Sequence, residues 1–98
     1  MAILANVPVR YENALLLESP APRLHDGSQV TNREGVPQWQ VRVLLDAEPV
    51  RVRWYAKEIL PSPKAFPAPC TLSEVVFRCG TLDSGQVWTS YAATTIRW

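Results

Sequence analysis

Residues 38–57 alternate in side-chain character, and this alternation constrains the fold more than any other feature of the chain. Trp39, Val41, Val43 and Leu45 fall on one side of an extended backbone, and Gln38, Gln40, Arg42 and Leu44 on the other. Beyond Asp46-Ala47-Glu48-Pro49 the pattern resumes, with Val50, Val52, Trp54 and Ala56 on the apolar side and Arg51, Arg53, Tyr55 and Lys57 on the polar side. Two period-2 runs separated by turn residues describe a β-hairpin. With 46–49 as a four-residue loop, the predicted pairs are Leu45 with Val50, Val43 with Val52 and Val41 with Trp54. The other face then pairs Leu44 with Arg51, Arg42 with Arg53 and Gln40 with Tyr55. A slip of one residue would turn the arginines into the core, so the faces are firmly specified.

The flanking sequence gives further strand signals and no sustained helical period. Residues 9–18, with Tyr11 and Leu15-Leu16-Leu17, form a first candidate strand, with a short helix over 15–17 as the alternative, and residues 20–27 read as a loop. Residues 28–31 are expected to fold back on 36–40 around Asn32-Arg33-Glu34-Gly35, because Asn starts such turns and Gly accepts positive φ. Pro61, Pro63, Pro67 and Pro69 favour an extended, exposed connection over 59–69. Thr71-Leu72-Ser73-Glu74 has the form of a capped helical turn. Residues 74–82 and 86–98 are predicted to pair as a second hairpin around Asp83-Ser84-Gly85. The expectation is one all-β domain over 1–98: a small five-stranded OB-like Greek-key barrel or an open sheet, with the proline-rich connection between strands 3 and 4. An SH3-like barrel satisfies the same periodicity.

Apolar residues make up 47% of the 98-residue chain, enough for one core without disulfides or metal. Ten basic and nine acidic side chains leave a net charge of +1, so charge alone does not indicate nucleic acid. No apolar run reaches the ~20 residues that span a bilayer. Residues 1–8 are apolar but short and lack a basic leader, so a cytoplasmic protein without membrane contact is expected. Cys70 and Cys79 have no Cys or His pair to complete a zinc site, and the expectation is two free, partly buried thiols.

Catalytic chemistry has little support. His25 is the single histidine and sits beside Asp26 in a turn-like segment; the carboxylates are scattered, and no nucleophile motif or phosphate-cradling glycine loop is present. No catalytic residue, metal or cofactor is predicted. The stronger signal is the polar hairpin face, where Arg42, Arg51, Arg53 and Lys57 surround Gln40 and Tyr55. Single-strand binding needs cations along the phosphates and flat rings under the bases. Trp88 and Tyr91 on the last strand are candidates for a second platform. The competing explanation is a solvated polar face, common on half-exposed sheets. Trp39 and Trp54 share a face with valines and are expected in the core.

Residues 30–45, Val-Thr-Asn-Arg-Glu-Gly-Val-Pro-Gln-Trp-Gln-Val-Arg-Val-Leu-Leu, resemble a segment of short actinobacterial plasmid, integrative-element and phage proteins. The shared pattern is an Asn- or Asp-led turn followed by Gly-x-Pro-x-aromatic-x-Val-x-Val-Leu. The likeness extends in element order over residues 28–98, ending in a small-residue strand like Tyr91-Ala92-Ala93-Thr94-Thr95-Ile96. The short 46–49 turn and the two cysteines depart from it. The resemblance implies an OB-like single-stranded DNA binder and no catalytic residue. The expected ligand is single-stranded DNA or RNA, with a homo-oligomer compatible. The alternative is a protein-interaction or assembly module of a phage or mobile element. Arginines neutralised by Glu12, Glu58 or Glu74 would favour that alternative.

Overall fold

A computed structural model describes residues 2–98, with side chains described from Ala5 onward. The chain is all-β. Twelve strands run through the described residues: β1 (Ala2–Pro8), β2 (Ala14–Leu16), β3 (Ala21–Pro22), β4 (Leu24–His25), β5 (Ser28–Gln29), β6 (Gln38–Leu45), β7 (Glu48–Tyr55), β8 (Ala68–Pro69), β9 (Thr71–Ser73), β10 (Val76–Thr81), β11 (Val87–Ala92) and β12 (Thr95–Arg97). The five-strand expectation is therefore corrected. Several of the additional strands are two- or three-residue pieces, too short to show a period. The proline-rich connection itself contributes β8, which pairs with β2.

Eight strands build one open sheet in the order β1-β10-β11-β7-β6-β2-β8, with β3 also on β6; it does not close into a barrel. Its pairs are antiparallel except β11 with β7, which run parallel and meet only at Tyr91–Val52 and Ala92–Arg53. Two ribbons, β9 with β12 and β4 with β5, lie outside this sheet. Residues 71–73, expected as a helical turn, are strand β9, and the predicted final strand 86–98 divides at Ala93-Thr94 into β11 and β12.

The core follows the alternation. Val41, Val43 and Val52 are fully shielded together with Leu16, and Trp54, Leu72, Val75 and Ile96 enclose them. Each fully buried aliphatic side chain contributes roughly 1.5–3 kcal/mol. Trp54 meets Trp98 edge to face at 6.3 Å between ring centroids. Trp39 is half-buried against this cluster and donates from Nε1 to the Ala56 carbonyl at 2.9 Å.

The central hairpin keeps its predicted faces but not its predicted pairs. The turn is two residues, Asp46-Ala47, so Leu45 pairs with Glu48, Val43 with Val50, Val41 with Val52, Arg42 with Arg51, Gln40 with Arg53 and Gln38 with Tyr55. A shift of two residues preserves side-chain parity, which is why alternation alone did not expose it. Both turn residues have positive φ, 45° at Asp46 and 75° at Ala47, the signature of the hairpin turn whose twist matches its strands. Asp46 is held there because its carboxylate accepts the Asn13 N–H at 2.8 Å and the Glu12 N–H at 3.0 Å.

Residues 20–27, expected as a loop, contain β3 and β4; Asp26-Gly27 forms a second tight turn with both φ positive. The turn at 32–35 forms as expected. Asn32 Oδ1 accepts the N–H groups of Glu34 and Val36 at 2.9 Å, and Gly35 supplies a φ of 82°.

Candidate nucleic-acid interface

Ladder register determines which side chains share the polar face. Arg51 and Arg53 have the parity opposite to Val52, and Ala92 stands beside Arg53, so Ser90 and Trp88 project to the same side. Across the next ladder Ser90 faces Arg78 and Trp88 faces Gly80. The parallel β7–β11 contact thus joins the basic hairpin to Arg78 and Trp88.

A cleft of about 480 Å³ opens on this face, lined by Arg23, Gln38, Arg53, Tyr55, Arg78 and Trp88, with Leu82, Ser90, Tyr91 and neighbouring backbone completing the wall. Gln38 anchors one side. It is 7% exposed, and its Oε1 accepts a hydrogen bond from Arg23 Nη1 at 2.8 Å. The Arg23 N–H and Gln29 Nε2 both donate to the Gln38 carbonyl at 3.0 Å, which ties Arg23 to the sheet.

The cleft is cationic without internal compensation. Among the described residues no carboxylate stands at ion-pair distance from Arg23, Arg53 or Arg78, and the His25 Nε2–Asp26 Oδ2 contact at 3.4 Å joins two highly exposed side chains. None of Glu12, Glu58 and Glu74 stands at ion-pair distance from an arginine. Glu74 instead accepts the Thr94 hydroxyl at 2.8 Å. Burial lowers the Arg53 pKa from its ordinary value, and the positive charges of Arg23 and Arg51 lower it further against an opposing effect of Tyr55. A guanidinium nevertheless stays protonated, so the site keeps its positive potential.

The expected site residues separate by position. Arg53, Tyr55 and Trp88 line the cleft. Arg42 and Arg51 are exposed on the same face, nearer the hairpin turn, and Gln40 is half-buried opposite Arg53. Lys57 lies exposed just beyond the end of β7. Tyr91 shares the parity of Val52, and its ring packs on Phe77 at 5.1 Å while it borders the cleft. Arg23, Gln38 and Arg78 were not anticipated. Arg23 follows two prolines in a segment that reads as loop. Arg78 alternates with Phe77 and Cys79, a local parity signal, but its proximity to Arg53 depends on the long-range parallel contact.

Tyr55 also borders a second cleft of about 530 Å³ with Trp54, Ile59, Leu60, Ile96 and Trp98. A chain lying on Tyr55 can therefore reach a basic cleft on one side and an aromatic, mainly apolar one on the other. Among the described residues, no group of three His, Cys, Asp or Glu side chains is arranged to hold a metal ion. Comparison with family models, curated proteins and solved structures returned no match.

Proposed function

We propose that the chain binds single-stranded nucleic acid, DNA in the first instance, on the sheet face formed by β6, β7, β10 and β11, without chemistry. The observation that supports this most directly is the uncompensated cluster of Arg23, Arg53 and Arg78 in one cleft with Tyr55 and Trp88. Arginines without carboxylate partners favour an anionic ligand, and flanking rings supply stacking of roughly 1–3 kcal/mol per base. Arg42, Arg51 and Lys57 extend the positive surface along the hairpin. The resemblance of residues 30–45 to mobile-element proteins points the same way. The kinship proposed with OB-type binders lies in a shared device, a sheet face with cations and aromatic platforms, and does not depend on barrel closure.

Fluorescence anisotropy with labelled oligo-dT, competed by unlabelled single strand and by duplex, tests the proposal. Displacement by single strand at lower concentration than by duplex is expected. An absence of binding at low salt would remove it.

A second reading, assembly through strand edges, is favoured by β1. Among the described strands this end strand pairs with β10 alone, and it carries no charged residue to guard its free edge, although Pro8 ends it and its register shifts between Ile3 and Ala5. Concentration-dependent light scattering without affinity for oligo-dT would support assembly as the primary role.

A further inference from the structure

Two residues that line the basic cleft each carry a hydrogen-bond donor without a partner among the described residues, Arg78 Nε and Trp88 Nε1, both shielded from solvent. They belong to one neighbourhood. Arg78 is paired with Ser90 and Trp88 with Gly80, so the two residues are diagonal neighbours on one face of adjacent antiparallel strands. Such neighbours lie about 7–8 Å apart, within reach of long side chains.

A buried donor left without an acceptor is unfavourable, and here two occur together beside the Arg53 and Arg23 guanidiniums. All four side chains can donate through these groups, and none brings a negative charge. The complementary ligand is a compact anion rich in acceptor oxygens. We propose that Arg78 Nε and Trp88 Nε1 form a subsite for one phosphate group, with Arg53 and Arg23 supplying the surrounding charge. This deepens, and rests on, the reading of the face as a single-strand binding surface: the phosphate belongs to the bound strand, as an internal phosphodiester or a terminal phosphomonoester.

The geometry also gives Trp88 two separable functions, a ring for stacking and an N–H for the phosphate. Reaching a bound phosphate requires both side chains to rotate at the cleft wall, a movement that breaks no hydrogen bond at either atom.

Trp88→Phe and Arg78→Lys separate these functions. The first keeps an aromatic ring and removes the N–H; the second keeps the charge and removes the Nε donor. Each is expected to weaken 3′-labelled oligo-dT about tenfold, the loss of one hydrogen bond to a charged group. Because neither changes the net charge, the dependence of affinity on salt stays as in the wild type. Trp88→Phe is also expected to melt at or above the wild-type temperature, since it deletes an unsatisfied donor. Wild-type affinity in both variants would overturn the subsite while leaving strand binding intact. Conversely, a wild type that ignores oligo-dT but binds inorganic phosphate, with binding lost in Trp88→Phe, would keep the subsite and overturn strand binding. Comparing 5′-phosphorylated with 5′-hydroxyl oligo-dT assigns the source: tighter binding of the former indicates the terminal group, equal binding an internal one.

Discussion

Arg42 lies directly opposite Arg51 across the β6–β7 ladder, and both side chains are exposed. Like charges in this position repel, whereas an opposite pair contributes roughly 0.2–1 kcal/mol. Because Glu18 Oε1 accepts the Arg42 N–H at 3.2 Å and would repel a glutamate at 42, the substitution to make is Arg51→Glu, predicted to stabilise the fold by an amount of that order in urea unfolding. The same substitution replaces a cation with an anion beside the proposed strand path, so oligo-dT affinity should fall several-fold. A rise in stability accompanied by a loss of binding would show that the arginine pair is retained for its ligand.

Ala47 occupies a backbone conformation that favours glycine, with φ at 75° in a two-residue turn. The left-handed region costs an L-residue about 1–2 kcal/mol, and glycine returns part of this through its greater unfolded-state entropy. Ala47→Gly should stabilise the chain by about 0.5–1 kcal/mol and raise the melting temperature by roughly 3–6 °C. A lower melting temperature would contradict the turn described here.

The Tyr11 hydroxyl donates to the Leu72 carbonyl and accepts from the Leu72 N–H, each at 2.6 Å. It thereby fastens the segment before β2 to β9, whose Leu72 is a core residue. Tyr11→Phe keeps the ring but leaves two partly buried backbone groups without this partner. A loss of about 1–3 kcal/mol is predicted in chemical denaturation, with the β-sheet circular dichroism signal retained.

Burial pushes the Cys70 thiol up to about 11. Iodoacetamide should accordingly modify Cys70 slowly at pH 8 in the folded protein and readily in urea, because the thiolate is the reactive species. The folded state holds this proton more tightly than the unfolded chain. Its contribution to stability is thus complete below the ordinary thiol value of 9.0 and is lost as pH rises toward about 11. Peptide mapping after timed alkylation, with urea melts across that range, checks both statements.

The sequence made side-chain parity legible and long-range adjacency obscure. Alternation correctly assigned Val41, Val43, Val52 and Trp54 to the core and Arg42, Arg51 and Tyr55 to the other face, because burial imposes period 2 directly on residue type. Pairing partners were displaced by two because the turn has Ala47 where Gly would have signalled it, and because Pro49 resembled a turn residue. Pro49 instead lies in the part of β7 that β11 does not reach. The short strands β3, β4 and β8 left no periodic trace. The site was half legible for the same reason. Arg53 and Tyr55 lie on one readable strand, whereas Arg78 and Arg23 join them through β11 and Gln38, contacts with no local signature.

The central claim, that this face binds a nucleic-acid strand through its arginines, is tested most directly by the salt dependence of oligo-dT affinity. One phosphate contact for each of Arg23, Arg42, Arg51, Arg53, Lys57 and Arg78 on a single strand predicts a log–log slope near −4 for the wild type. The double variant Arg53→Ala, Arg78→Ala should bind more weakly, with a slope shallower by about 1.4. Absent or salt-insensitive binding in the wild type, or an unchanged slope in the double variant, would contradict the account.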